Sequence, residues 1–144
     1  MKVSGSYVFD APAARVWQVL TEPTLLSGCI PGCDRLDPIG EDEYQAVLTV
    51  AVGPIRVRYD ATIAIQEKVP HQSYRLVVSG TGGGSFVNGE AMITLVEKSG
   101  KTTVSVESAS QAGGTVAWVG QSLMDSVAKS TMDKFFSCLQ QATR

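Results

Sequence analysis

Two long runs at the centre of the chain alternate apolar and polar residues with period two. Tyr44, Ala46, Leu48, Val50 and Val52 carry the first, and Ile55, Val57, Tyr59, Ala61, Ile63 and Ile65 share one face of the second. Arg56, Arg58, Asp60, Thr62 and Gln66 occupy the opposite face of that second run. Successive strand side chains point to opposite faces, so each run predicts a half-buried strand. Gly53-Pro54 between them predicts a turn and therefore an antiparallel hairpin. An apolar sheet face of this length must be covered by another layer.

The segments on either side supply that layer. Lys2–Phe9 alternates as a strand, and Asp10 then reads as an N-cap with Pro12 in the first turn of a helix running to Leu20. A short helical piece follows over Thr24–Ser27. Tyr74, Leu76 and Val78 continue the strand pattern, and residues 85–97 and 101–110 predict two more strands joined at Lys98-Ser99-Gly100-Lys101. After Gly113-Gly114 the period changes. Val116, Gly120, Leu123, Met124, Val127, Thr131, Phe135, Cys138 and Leu139 recur at helical spacing, predicting an amphipathic helix of roughly seven turns. Strands and helices are segregated along the chain, which points to an α+β fold in which about six or seven antiparallel strands form a curved sheet around the long C-terminal helix.

The length of 144 residues suits one domain, residues 1–144, with no linker or repeat. Twelve basic and 14 acidic residues leave a net charge of −2 without a basic patch, which argues against a nucleic-acid surface. No stretch reaches the roughly 20 apolar residues of a membrane-spanning helix. The opening MKVSGSYVFD lacks the long apolar run of a signal peptide, so a soluble, intracellular protein is expected. Three cysteines, an odd number, then disfavour a structural disulfide.

Few residues suggest chemistry. Cys29 and Cys33 flank an Ile-Pro-Gly turn in SGCIPGC, but C-x-x-x-C is not the usual zinc or thioredoxin-type spacing. Nothing in the spacing gathers these cysteines with Cys138 and the single histidine, His71, into a four-ligand zinc site. Loop packing and a redox pair are the readings that stay open for them. Gly80–Gly84 is not a phosphate loop, because no Lys-Ser or Lys-Thr follows and it joins strand to strand. It reads as a close backbone approach or as an opening at a cavity mouth. Asp60, Glu90 and Glu107 read as solvated or cross-strand-paired carboxylates. Asn88 and Glu90 share a strand face with Phe86 and Met92, and could orient a polar ligand head if that face points inward. Trp118 and Phe136 fall off the centre of the long helix's apolar face, either to meet a partner or membrane surface or to fold over the sheet edge.

Three segments resemble a known family. SYVFDAPAARVWQVLTEPTLLSGCIPGC, VAVGPIRVRYDATIAI and GGTVAWVGQSLMDSVAKSTMDKFF are similar to the opening, central hairpin and closing helix of the CoxG family of carbon monoxide dehydrogenase subunits, part of the START-like (SRPBCC) helix-grip superfamily. The resemblance covers nearly the whole chain. It implies a helix-grip fold with one or two short helices after the first strand and a hydrophobic cavity between sheet and long helix. It implies a non-enzymatic accessory protein that binds a lipid- or quinone-like small molecule, without a cofactor or metal, and partners molybdenum hydroxylase subunits. A cytoplasmic location with peripheral association at the inner face of the membrane goes with that role. The expected cavity wall is Trp17, Ile30, Leu48, Tyr59, Ile63, Leu76, Phe86, Met92, Leu123, Met124 and Val127, with Trp118 and Phe136 as partner contacts. Two alternatives stand beside it: a docking or maturation module without ligand, and a polyketide-cyclase-like enzyme.

Overall fold

The computed structural model describes residues 2–52, 54–114 and 121–143. In chain order these form β1 (Lys2–Phe9), α1 (Ala13–Leu20), α2 (Pro23–Cys29), β2 (Cys33–Gly40), β3 (Glu43–Val52), β4 (Ile55–Val69), β5 (Ser73–Gly82), β6 (Ser85–Lys98), β7 (Lys101–Gly114) and α3 (Gln121–Ala142). The strands make one antiparallel sheet in the order β1-β7-β6-β5-β4-β3-β2. It is open and curved, and the helices lie on its concave face, so the α+β helix-grip architecture stands as expected.

Two local readings change. A strand over Cys33–Gly40 is absent from the sequence reading, because CDRLDPIG neither alternates nor avoids proline. It is an edge strand with register shifts after Cys33 and Pro38, a place where proline is tolerated. Asp10 does not cap α1. The N-cap is Pro12, and the Glu97 carboxylate accepts from the Ala13 amide at 2.6 Å, so a neighbouring strand supplies the cap.

The packed core lies at one end of the concave face. Phe9, Val16, Val19, Leu20, Leu95, Val104, Phe136 and Leu139 are all buried there. They join α1 and the C-terminal half of α3 to the sheet. Thr102 is buried beside them and donates to the Ala11 carbonyl at 2.8 Å, satisfying both groups. Toward the other end the inner face narrows to Ala46, Ala61, Gly80, Ala91 and Ala112, and the first half of α3 stands over these small side chains. Here the two layers do not close.

Candidate functional site

The space left between the layers is a cavity of about 780 Å³, within the usual range for a small-molecule site. The strand registers give it a direction. Tyr44, Ile65, Tyr74 and Ile93 line the end under α1. Thr49, Val50, Gly80, Val87 and Ala112 line the end at the β3–β4 and β5–β6 hairpin tips. Leu123, Met124 and Val127 of α3 roof this second end, and Leu123 is exposed there, marking the mouth. Lys134 is the charged residue in the lining, on the exposed side of α3.

The SGCIPGC loop forms part of this wall. Ile30, Pro31 and Gly32 line the cavity. The Ile30 amide donates to the Leu26 carbonyl at 2.9 Å, ending α2. Gly32 has φ +75, and its carbonyl accepts from the Thr49 amide at 2.8 Å. A Cβ at Gly32 would collide with the Thr49 carbonyl, so glycine is required where the loop meets β3.

The cysteines differ from expectation. Cys29 is joined to Cys138 in a disulfide that ties the end of α2 to α3 across a Cα–Cα distance of 5.4 Å. Cys33 is free and half-buried, and burial pushes its thiol pKa up. The sequence argument against a disulfide rested on compartment and parity, and neither registers that two helices converge on the same spot. Among the described residues no His, Cys, Asp and Glu side chains are grouped to hold a metal.

Eight residues expected in the wall come together around the cavity: Ile30, Leu48, Tyr59, Ile63, Leu76, Leu123, Met124 and Val127. Three do not. Phe86 and Met92 lie on the convex face, 39% and 37% exposed, because β6 turns its odd-numbered residues inward. The Phe86 ring covers Gly113, its cross-strand partner, where a side chain would clash. Asn88 and Glu90 share this outer face. Asn88 accepts from the Ser79 hydroxyl at 3.0 Å and Glu90 pairs with Arg75 at 3.3 Å. Trp17 is half-buried behind the cavity floor, edge-on to Tyr74 at 5.6 Å and to His71 at 6.2 Å.

Phe136 is not a surface contact. It is 2% exposed and stacks on Tyr7 of β1, centroids 4.5 Å apart. It reaches over the sheet edge, the alternative held open for it, because α3 leans against β1. Trp118 lies outside the described residues. Sequence reasoning missed Tyr44, Tyr74 and Ile93 in the cavity lining; their strand parity was the available signal.

The polar groups around the void are few. Burial raises the pKa of Tyr44, Tyr59 and Tyr74, so all three phenols stay protonated donors at neutral pH. The buried Tyr59 hydroxyl has no well-formed hydrogen bond and has Ser85 as its polar neighbour. On the outside of α3, Tyr7 donates to Asp133 at 2.6 Å and Lys129 pairs with Asp133 at 2.9 Å.

Comparison with known proteins agrees with this geometry. A crystal structure of a conserved protein from Geobacillus kaustophilus superposes with a TM-score of 0.94 at 35% identity, over 99% of this chain and 95% of that one. A START superfamily protein from Mycobacterium smegmatis superposes at 0.71 with 13% identity, covering 99% and 96%. The Zhui aromatase/cyclase from Streptomyces sp. R1128 superposes at 0.67 with 12% identity, covering 99% and 93%. At such identities the last two show the fold alone. No curated protein matches the chain. The model of one family matches residues 5–143, nearly the whole length. The chain thus belongs to the CoxG family of carbon monoxide dehydrogenase subunits.

Proposed function

We propose that this protein is a non-enzymatic carrier of an apolar, lipid- or quinone-like small molecule, acting as an accessory to a molybdenum hydroxylase of the carbon monoxide dehydrogenase type. The observation that carries the reading is the cavity of about 780 Å³, walled by aliphatic, aromatic and small side chains. Such a wall takes up a ligand by desolvating it, and few polar groups remain to orient it. Leu48, Ile63 and Leu76 form the sheet side of the binding surface, Ile30 contributes from the loop after α2, and Leu123, Met124 and Val127 form the helix side. Methionine is unbranched and adapts to irregular shapes, which suits a wall that closes on a flexible molecule. The hydroxylase partner rests on the family to which the chain belongs.

A cyclase-like activity has less support. General acid–base catalysis needs a titratable group at the reacting atoms. Glu90 is held on the convex face by Arg75, and His71 sits in the turn behind Trp17. A docking module without ligand loses Phe136, which is buried.

Native mass spectrometry of protein purified from its own host tests the carrier reading. A copurified apolar molecule, released on denaturation, is the expected result. Absence of any such molecule, together with no binding of apolar fluorescent probes, would sink it.

A further inference from the structure

We propose that the ligand is an amphiphile with a singly charged carboxylate head on an apolar tail, and that Lys134 receives the head where the cavity opens along one side of α3. The inference rests on the carrier reading and adds the charge class and direction of the ligand.

α3 meets the sheet unevenly. On one side it closes against β1: Phe136 stacks on Tyr7, Asp133 accepts from the Tyr7 hydroxyl, and Gln140 donates to the Val8 carbonyl at 2.8 Å. Another row, Ser126, Ser130, Lys134 and Cys138, recurs every four residues and so runs along one side of the helix. Ser126, Ser130 and Lys134 are exposed and also line the cavity. The void therefore reaches solvent along this row as a slot. The Cys29–Cys138 bond closes its far end, and Lys134 stands one turn before that closure. Ile30 and Pro31, directly after Cys29, line the same space.

Charge decides which head this slot suits. Lys134 is the charged residue of the lining, and among the described residues no Asp or Glu joins it there. The ion pairs of the described residues engage Asp37, Asp42, Glu67, Glu90 and Asp133 with other cations, and none involves Lys134. An anionic head at the rim thus meets a cation and no carboxylate of the wall. A lysine at such a rim lays its apolar stem on the wall and keeps its ammonium in water, so the head keeps part of its hydration. One cation matches one charge, a carboxylate rather than a doubly charged phosphate monoester. A neutral head gains nothing from this position, and a cationic head is repelled. The tail lies under α3, against Leu48, Ile63 and Met124.

Displacement of an apolar fluorescent probe by dodecanoate, dodecanol and dodecyltrimethylammonium, which share a tail and differ in head, tests this. The unmodified protein should bind dodecanoate more tightly than the cationic ligand. Lys134→Gln should weaken dodecanoate about two- to fivefold, the size of an exposed ion pair, and Lys134→Glu about tenfold. Both should leave dodecanol affinity and melting temperature unchanged, which shows that the variants are folded. Lys101→Gln, which removes the same charge at the start of β7, should leave dodecanoate affinity as it is. No preference for dodecanoate over the cationic ligand, no loss in the Lys134 variants, equal loss of dodecanoate and dodecanol, or an equal loss in Lys101→Gln overturns the proposal while the carrier reading stands. Binding of none of the three by the unmodified protein overturns both.

Discussion

Ala61 and Gly80 face each other across β4 and β5, and a methyl group added to Gly80 would lie 3.3 Å from the Ala61 side chain. Both line the cavity, and the width of the void at this level comes from what these two positions lack. Filling it separates binding from folding. The double variant Ala61→Leu/Ala91→Leu should weaken apolar probes at least tenfold, because both leucines project into the space a ligand needs. Its melting temperature should equal or exceed that of the parent, since filling an apolar void adds contacts. Probe titration and thermal melts check this; a folded variant with parental affinity would place the ligand elsewhere.

Phe136→Ala should cost about 3–5 kcal/mol, the usual range for emptying a buried aromatic site. The site lies where α3 meets β1, so urea denaturation should report a lower midpoint with a similar slope. A loss under 1 kcal/mol would mean that the Tyr7–Phe136 stack contributes little to holding the helix.

The link between Cys29 and Cys138 spans 109 residues of sequence. Constraining so long a loop in the unfolded chain stabilises the fold by about 2–4 kcal/mol. Reductant should lower the denaturation midpoint, Cys138→Ser should reproduce the shift without reductant, and Cys33→Ser should do neither. Mass spectrometry after alkylation of the unreduced protein should find one modified cysteine, Cys33.

The Tyr7–Lys129–Asp133 cluster predicts a pH dependence. Asp133 lies below its ordinary value of 3.8 because it accepts from Tyr7 and from Lys129. A depressed folded pKa means stabilisation that is present above 3.8 and is lost as pH falls through the lower folded value. Asp133→Asn should therefore reduce the melting temperature at pH 7, with the gap to the parent shrinking below about pH 4. A gap of constant size down to pH 2 would show that the carboxylate's charge is not what matters.

Much of this molecule is legible in its sequence. The central hairpin follows from clean alternation over 44–66, and the grip of α3 from the change of period after Gly114. Six of the wall residues, Leu48, Tyr59, Ile63, Leu123, Met124 and Val127, follow from those two patterns, and Leu76 from the alternation of β5. The failures occur where patterns compete. Residues 85–97 carry apolar side chains on both parities, Phe86 and Met92 against Val87, Ala91, Ile93 and Leu95. Only pairing with β5 and β7 decides which set faces inward. Phe136 sits one position past the apparent stripe, and the lean of α3 toward β1 is a tertiary property that helical spacing does not encode. The Cys29–Cys138 bond, across 109 residues, is invisible for the same reason.

That bond has a mechanical consequence. It pins α3 near its C-terminal end, beside the packed core, whereas the end bearing Leu123 stands over the open part of the sheet. From Cys138 to Gln121 the helix is a rod of roughly 26 Å, and a tilt of about 10° about the pinned point swings the free end by about 4.5 Å. The lever arm is longest at the mouth and shortest at Phe136. A small angular change in α3 is therefore enough to admit a flat molecule, and it leaves the core side of the helix nearly still.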